Sequence, residues 1–325
     1  MARRLSTLGR SLALILATFV AAPGLRAAEG LQLFLNHLMQ GSQGAVIVSD
    51  PRTGRILSIW NPQTAFQEAY PPGSTAKLVI SAAALEEQVV TPSESLLCRR
   101  IPRLLGEPYR CSHPPADQPF NLAGALANSC NYFFCELSTR LSSAVLAHWF
   151  ASFGFGSGDT ASGDTGSGQV RIGEGAKEKA LAALGEQGLT ATPAQVLLAY
   201  SAVATRGKMF RLIKPGQQTA SAIARVVPLH PGTLTVLGEG LHQCVQNGLC
   251  RGAAVQGVPV AGKTGTATAG DGSGVTHAWF VGYAPADSPE VALVVFLERG
   301  TGAGTAAPLA GRILQQYFAR KSRTR

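Results

Sequence analysis

Two side chains three residues apart raise the first chemical question. In "YPPGSTAKLVISAAALEE", which begins at Tyr70, Ser74 and Lys77 follow Pro-Pro-Gly and precede an apolar run. On a helix, positions i and i+3 share a face and lie within side-chain reach. A serine hydroxyl is a poor nucleophile until a base takes its proton, and a lysine is such a base once it is desolvated and neutral. The apolar sequence after Lys77 supplies surroundings that lower a lysine pKa. Ser74 at a helix start also meets unpaired backbone N–H groups and the positive end of the dipole. Ser-x-x-Lys by itself is weak, because the same letters describe the polar start of an ordinary core helix.

Two further strings follow in order. "NSCNYFFC" contains Ser129-Cys130-Asn131, and "GKTGTA" contains Lys263-Thr264-Gly265-Thr266 in a segment with strand character. "GKTGT" also invites a phosphate-loop reading, set aside because the earlier glycine of that motif is not expected where Val258 and Pro259 stand. Ser-x-x-Lys, a Ser-x-Asn element and Lys-Thr-Gly in this order form the signature of penicillin-binding proteins and class A β-lactamases.

The sequence therefore resembles the penicillin-binding protein transpeptidases. "GEQGLTATPAQVLLAYSAVATRGK", "HAWFVGYAP" and "GTAAPLAGRIL" extend the likeness, which runs from about Gly44 to the end. The resemblance implies that Ser74 is the acylated nucleophile and Lys77 its base. It implies that Ser129 relays the proton toward the leaving amine and that Asn131 holds the substrate amide and orients Lys77. Lys263 would place positive charge at the cleft, and the hydroxyls of Thr264 and Thr266 would receive the substrate carboxylate. The N–H groups of Ser74 and Thr266 would form the oxyanion hole, usually a large electrostatic contribution. Gly265 lets the substrate backbone lie against the strand. The implied substrate is the D-alanyl-D-alanine end of a peptidoglycan stem peptide, with β-lactams as mimics that leave a slow acyl-enzyme. Cell-wall assembly proteins are further implied partners.

The elements that must position these residues can be read independently. "GAVIVSD", a Pro-Arg-Thr-Gly turn and "RILSIW" form a β-hairpin. A helix runs from Ser74 to about Val90, and residues 91–120 are irregular. Helical spacing returns over Asn121–Ser143 with a break near Asn128-Ser129. Helices follow around 193–206 and 231–246, then three strands and a C-terminal helix over Ala306–Phe318. The expected fold class is α+β: one antiparallel sheet sandwiched by helices, with an inserted all-helical lobe. The glycine-rich stretch "FGFGSGDTASGDTGSGQV" is read as a surface loop, not a calcium or phosphate site.

The 325 residues suit one large domain or two joined lobes. The basic, apolar and then small-residue opening is read as a secretory signal peptide over 1–27, cut after Ala27, with the transpeptidase domain over 28–325. An uncleaved anchor is the alternative. About 16 residues separate that cut from the first strand, which gives the expectation of a free-standing catalytic module. Export places the protein in the periplasm or on the outer face of the cytoplasmic membrane. The net charge of +9 falls to +5 without the four leader arginines, and nucleic acid is not suggested.

Six cysteines in an exported chain suggest disulfides. Cys98–Cys111 and Cys244–Cys250 are expected to be bridged. Cys130 and Cys135, if both lie in one helix, point to different sides at a five-residue offset and are expected not to be bridged to each other. The spacings match no zinc pattern and there is no His-Glu-x-x-His, so no metal and no cofactor are expected. His113, His148, His230, His242 and His277 are read as structural, and Trp60, Trp149 and Trp279 as core or cleft wall.

Two rivals share the site. A class A β-lactamase needs a Glu-x-x-Leu-Asn string, which is absent, and a class D enzyme usually has Ser-x-Val where Asn131 completes Ser-x-Asn here. A non-catalytic β-lactam sensor or scaffold would keep acylation and lack turnover. A lipase-like hydrolase would need Gly-x-Ser-x-Gly, which is absent.

Overall fold

A computed structural model describes residues 23–156, 166–270 and 272–323. The first half runs α1 (Pro23–Met39), β1 (Gly44–Ser49), β2 (Ile56–Trp60), α2 (Pro62–Gln67), a 3-10 turn over Gly73–Ala76 and α3 (Lys77–Glu86). Next come β3 (Ser95–Leu96), β4 (Phe120–Asn121), α4 (Leu122–Ala127), α5 (Asn131–Ser138), α6 (Ser143–Ser152), β5 (Gln169–Val170), α7 (Ala176–Ala183) and β6 (Leu189–Thr190). The chain continues through α8 (Pro193–Ala204), β7 (Lys208–Phe210), β8 (Ile223–Val226) and α9 (Pro231–Gln246). It ends with β9 (Ala261–Thr268), β10 (Thr276–Ala284), β11 (Val291–Leu297) and α10 (Ala307–Arg323).

The main sheet has the order β2-β1-β11-β10-β9, and every pairing is antiparallel. The amino-terminal hairpin thus supplies one edge and the carboxy-terminal meander the rest, as expected from the sequence. Side chains alternate across a strand. Val46, Val48, Phe280, Leu293 and Val295 face a core formed with Leu31, Leu35 and Met39 of α1 and Ile313 and Leu314 of α10. Ala45, Ile47, Trp279, Val281, Val294 and Phe296 face the opposite core, which takes in α8 and the helical lobe. Both faces are covered, so β1, β10 and β11 read as near-continuous apolar runs.

Helix α8 is apolar and buried along almost its whole length, as befits a helix with neighbours all round. The Thr192 hydroxyl accepts from the Gln195 N–H while the Gln195 carboxamide accepts from the Thr192 N–H. This capping box fixes where the helix begins.

Several expectations are corrected. Ser74 does not open an α-helix; it lies in the 3-10 turn over Gly73–Ala76, and α3 starts at Lys77 and ends at Glu86 rather than near Val90. The letters of Gly257–Thr264 do satisfy the phosphate-loop pattern G-x-x-x-x-G-K-T. That motif needs a glycine-rich loop opening a helix. Here Ala261–Thr268 is continuous strand and Lys263 is fully buried, so the segment is no phosphate loop. Cys244 and Cys250 are joined, with sulfurs 2.05 Å apart. Cys98 and Cys111 are not: their sulfurs are 3.6 Å apart and both thiols are free, as are Cys130 and Cys135.

Part of the leader reading (1–22) and residues 157–165 of the glycine-rich stretch lie outside the described residues. Helix α1 begins at Pro23 and runs across the expected cut after Ala27. Among the described residues no helix is long and apolar enough to cross a membrane.

Candidate active site

The 3-10 turn brings Ser74 and Lys77 into register. With three residues per turn, side chains at i and i+3 eclipse, and the Lys77 N–H closes the turn on the Ser74 and Thr75 carbonyls. Gly73 enters the turn at φ 54°, a left-handed conformation that favours glycine. A Cβ at Gly73 would also stand 2.7 Å from the Thr266 carbonyl oxygen. The serine turn is therefore pressed directly against β9.

Other groups hold that turn from the remaining sides. The Gly73 N–H donates to the Gly185 carbonyl at 3.0 Å. The buried Tyr200 hydroxyl donates to the Thr75 carbonyl at 2.9 Å, and the Trp279 indole N–H donates to the Pro71 carbonyl at 3.0 Å. Ser74 itself stays half-buried at the mouth of the site.

Lys77 is fully buried. Its amine donates to the Asn131 carboxamide oxygen at 2.6 Å, to the Ser129 carbonyl at 2.8 Å and to the Ser129 hydroxyl at 3.1 Å. The amine also lies 5.4 Å from the centre of the Phe134 ring. Burial pushes Lys77 down to about 8, opposed in part by Cys130, Cys111, Cys135 and the Glu186 carboxylate. A base with a value near neutrality is one whose free amine is accessible without strong alkali.

Ser129 accepts twice from one amine because its backbone is left-handed, at φ 52°. That conformation is uncommon for a serine. It is held by Ser129 N–H to the Leu126 carbonyl (3.2 Å) and Cys130 N–H to the Ala125 carbonyl (2.9 Å). Cys130 then caps α5, its sulfur accepting from the Phe133 N–H. Asn131 uses its carboxamide nitrogen to reach the Tyr109 carbonyl at 3.0 Å. The Ser-x-Asn turn is thus tied to the irregular 91–120 segment.

Opposite stands β9. Lys263 and Thr264 are buried and Thr266 is exposed to the cleft side. The Lys263 amine donates to the Thr264 carbonyl at 3.0 Å. Burial, reinforced by the charge of Lys77, holds Lys263 well below its ordinary value. The Thr266 hydroxyl accepts from the Gly302 N–H at 3.0 Å. A Cβ on Gly265 would meet the Pro72 carbonyl oxygen at 2.9 Å and Thr75 Cγ2 at 3.0 Å. Gly265 thus admits the serine turn itself, a closer requirement than the substrate contact expected for it.

All eight expected residues are placed by three segments: Ser74 and Lys77, Ser129 and Asn131, and the stretch from Lys263 to Thr266. Three contributors, Tyr200, Tyr109 and Glu186, belong to no motif of the sequence, and Trp279 is legible there only as core or cleft wall. Tyr200, Trp279 and Tyr109 act through single hydrogen bonds from distant segments. Glu186 bonds the Thr268 N–H and hydroxyl at 3.2 and 2.9 Å, and burial raises its carboxyl. Only the quoted string "GEQGLTATP" drew attention to that last region.

One grouping has no counterpart in the spacing along the chain. Cys98, Cys111, His113 and Cys130 gather in one buried cluster with all four ligand atoms within 4.8 Å of one another. Their spacing in the chain hides this, because the fourth member comes from the Ser-x-Asn turn.

The arrangement sets a serine beside a buried lysine on a helix–sheet seam. A family profile described as the penicillin binding protein transpeptidase domain matches residues 44–315, and the chain belongs to that family. Stage V sporulation protein D of Bacillus subtilis is 32% identical over 285 residues, covering 79% of this chain and 43% of that protein. Peptidoglycan D,D-transpeptidase MrdA of Acinetobacter baumannii is 25% identical over 355 residues, covering 89% of this chain and 52% of that protein. The chain thus spans about half the length of these curated relatives. The solved structure of penicillin-binding protein A from M. tuberculosis in an imipenem acyl-enzyme complex shares the fold. It has a TM-score of 0.74 at 23% identity, covering 92% of this chain and 78% of that one.

Proposed function

We propose that the protein is an exported serine acyl-transferase acting on the D-Ala-D-Ala end of peptidoglycan stem peptides, with Ser74 as nucleophile. The observation that carries this is the buried Lys77 amine, one 3-10 turn from Ser74 and held by Ser129 and Asn131. The relatives named as peptidoglycan D,D-transpeptidases support it.

In the neutral amine, two N–H bonds remain to the Ser129 carbonyl and the Asn131 oxygen, and a lone pair is free for the Ser74 proton. The Ser74 oxygen attacks the penultimate D-alanine carbonyl carbon, and its proton passes to Lys77. The N–H groups of Ser74 and Thr266 take the developing oxyanion. The Ser129 hydroxyl, 3.1 Å from the Lys77 amine, carries a proton to the leaving D-alanine amine as the C–N bond breaks. An acceptor amine then attacks the ester and restores the Ser74 hydroxyl. Thr264 and Thr266 receive the terminal carboxylate, and Lys263 sets the charge of that strand.

β-Lactams enter by the same attack, their ring amide opening on Ser74. Intact-protein mass after incubation with penicillin is expected to give one covalent adduct, mapped to Ser74. Turnover of a D-Ala-D-Ala peptide separates an enzyme from a sensor. Rapid release of hydrolysed penicillin would assign a β-lactamase instead, and an adduct elsewhere would remove the chemical basis of this reading. Export through a leader over 1–27, with a domain over 28–325, is part of the proposal. Sequencing the amino terminus of exported protein tests it, with Ala28 expected. Cell-wall assembly proteins complete the proposed partners.

A further inference from the structure

Three thiols and one imidazole converge beneath the Ser-x-Asn turn. Cys98 follows β3, Cys111 and His113 follow the 3-10 turn Glu107–Tyr109, and Cys130 caps α5. Each is at most 8% exposed. The Cys98 and Cys111 sulfurs are 3.6 Å apart, the Cys111 and Cys130 sulfurs 3.9 Å, and Cys98 Sγ lies 3.5 Å from His113 Nε2. Tetrahedral zinc, with bonds of about 2.3 Å to sulfur and 2.0–2.1 Å to nitrogen, sets its ligands about 3.8 Å apart for two sulfurs and about 3.5 Å for sulfur and nitrogen. The observed separations match that geometry. They do not match a disulfide, which needs about 2.05 Å and leaves one thiol over.

The surroundings are those of bound thiolates. The Arg100 N–H points at Cys98 Sγ (3.3 Å), the Tyr132 N–H at Cys111 Sγ (3.3 Å) and the Phe133 N–H at Cys130 Sγ (3.5 Å). His113 Nδ1 lies 2.6 Å from the Pro114 carbonyl. A carbonyl only accepts, so Nδ1 carries the hydrogen and Nε2 offers its lone pair to the cluster. Such a bond to the far ring nitrogen orients metal-binding histidines generally.

We propose that Cys98, Cys111, His113 and Cys130 bind one zinc ion in a closed, structural site that positions the Ser-x-Asn turn. Three thiolates and one imidazole fill a tetrahedral shell and suit zinc over harder cations. Binding releases the thiol protons to solvent. Cys130 separates Ser129 from Asn131, and Asn131 also bonds Tyr109, two residues before Cys111. The ion thereby fastens both sides of the pocket that holds Lys77. Coordination also withholds three close thiols from oxidation outside the cytoplasm.

The test uses untagged full-length protein purified without chelator. Released metal is measured after denaturation, and cobalt-substituted protein is examined by absorption. One zinc per chain is expected, with thiolate-to-cobalt charge-transfer bands and tetrahedral visible bands. Cys98→Ser and His113→Ala are expected to lose the ion and to acylate with penicillin about tenfold more slowly or worse, while Cys135→Ser keeps both. Ser74→Ala keeps the zinc and loses acylation, so failure of the acyl-transfer reading is seen separately from failure of this one. Should the variants fail to fold, refolding of the parent protein decides. Recovery of acylation that needs zinc supports the site, and equal recovery with chelator overturns it. Metal-free protein with a Cys98–Cys111 bridge on non-reducing peptide mapping also overturns it. Zinc loss without any change in acylation overturns the positioning role.

Discussion

The two walls of the site are built by different physics. On one side β9 presents Lys263, Thr264, Gly265 and Thr266 from a strand whose register is fixed by eight pairs with β10, Phe280 opposite Thr264 among them. Backbone hydrogen bonds place those residues, and alternation decides which side chains are sealed. On the other side Ser129 occupies a left-handed turn between two short helices and Asn131 opens the second of them, beside a segment with almost no regular structure. Side-chain contacts place these residues: the Lys77 amine, the Tyr109 carbonyl and the Cys/His cluster. A strand wall tolerates changes that keep its register. A wall of this second kind depends on each clasp.

The largest effect breaks both walls' common purpose. Ser74→Ala is expected to abolish penicillin labelling while leaving stability within about 1 kcal/mol, the scale of a lost cap. Lys77→Arg is expected to fail as completely, because a guanidinium stays protonated and cannot take the serine proton. Labelling followed by mass spectrometry and thermal unfolding checks both.

Next comes the strand wall. Gly265→Val pushes a Cβ into the Pro72 carbonyl oxygen and Thr75 Cγ2, so β9 and the serine turn must part. Acylation is expected to fall about 100-fold, the scale of a misplacement near 1 Å. Gly232→Ala, whose Cβ meets nothing within 4 Å, is the neutral control in the same kinetic assay.

The pH profile probes the other wall without mutation. Lys77 acts as a base only when neutral, and burial places it at about 8. Below that value the acylation rate is expected to rise about tenfold per pH unit, then level off above it. Loss of the lobe clasps that open Lys77 to water, as in His113→Ala, is expected to move the midpoint upward toward an ordinary lysine. A midpoint unchanged in that variant would show the two walls to be independent.

The smallest effect is a single buried hydroxyl. Tyr200→Phe removes the side-chain donor to the Thr75 carbonyl, which keeps the Lys77 N–H. A stability loss of about 0.5–1.5 kcal/mol is expected by denaturant unfolding, with acylation changed less than by Gly265→Val.

The sequence alone carried what local periodicity and motif order encode. The apolar runs of β1, β10 and β11, the punctuation around the hairpin, and the order of Ser74-Lys77, Ser129-Asn131 and Lys263-Thr266 sufficed for the sheet, its two chain ends and the choice of the eight candidate residues on the three segments described. Those signals live within a few positions of one another, where strand and helix periods act. Tertiary structure decided everything that joins distant segments. The 3-10 form of the Ser74 turn follows from Gly73 meeting β9 and Gly185. The support from Tyr200 and Trp279 crosses 125 and 208 residues. The cysteines show the limit most clearly. Pairing by proximity in sequence succeeded for Cys244 and Cys250, six apart and at a helix end. It failed for Cys98 and Cys111, because His113 and Cys130 enter the same buried space from segments whose spacing follows no local rule.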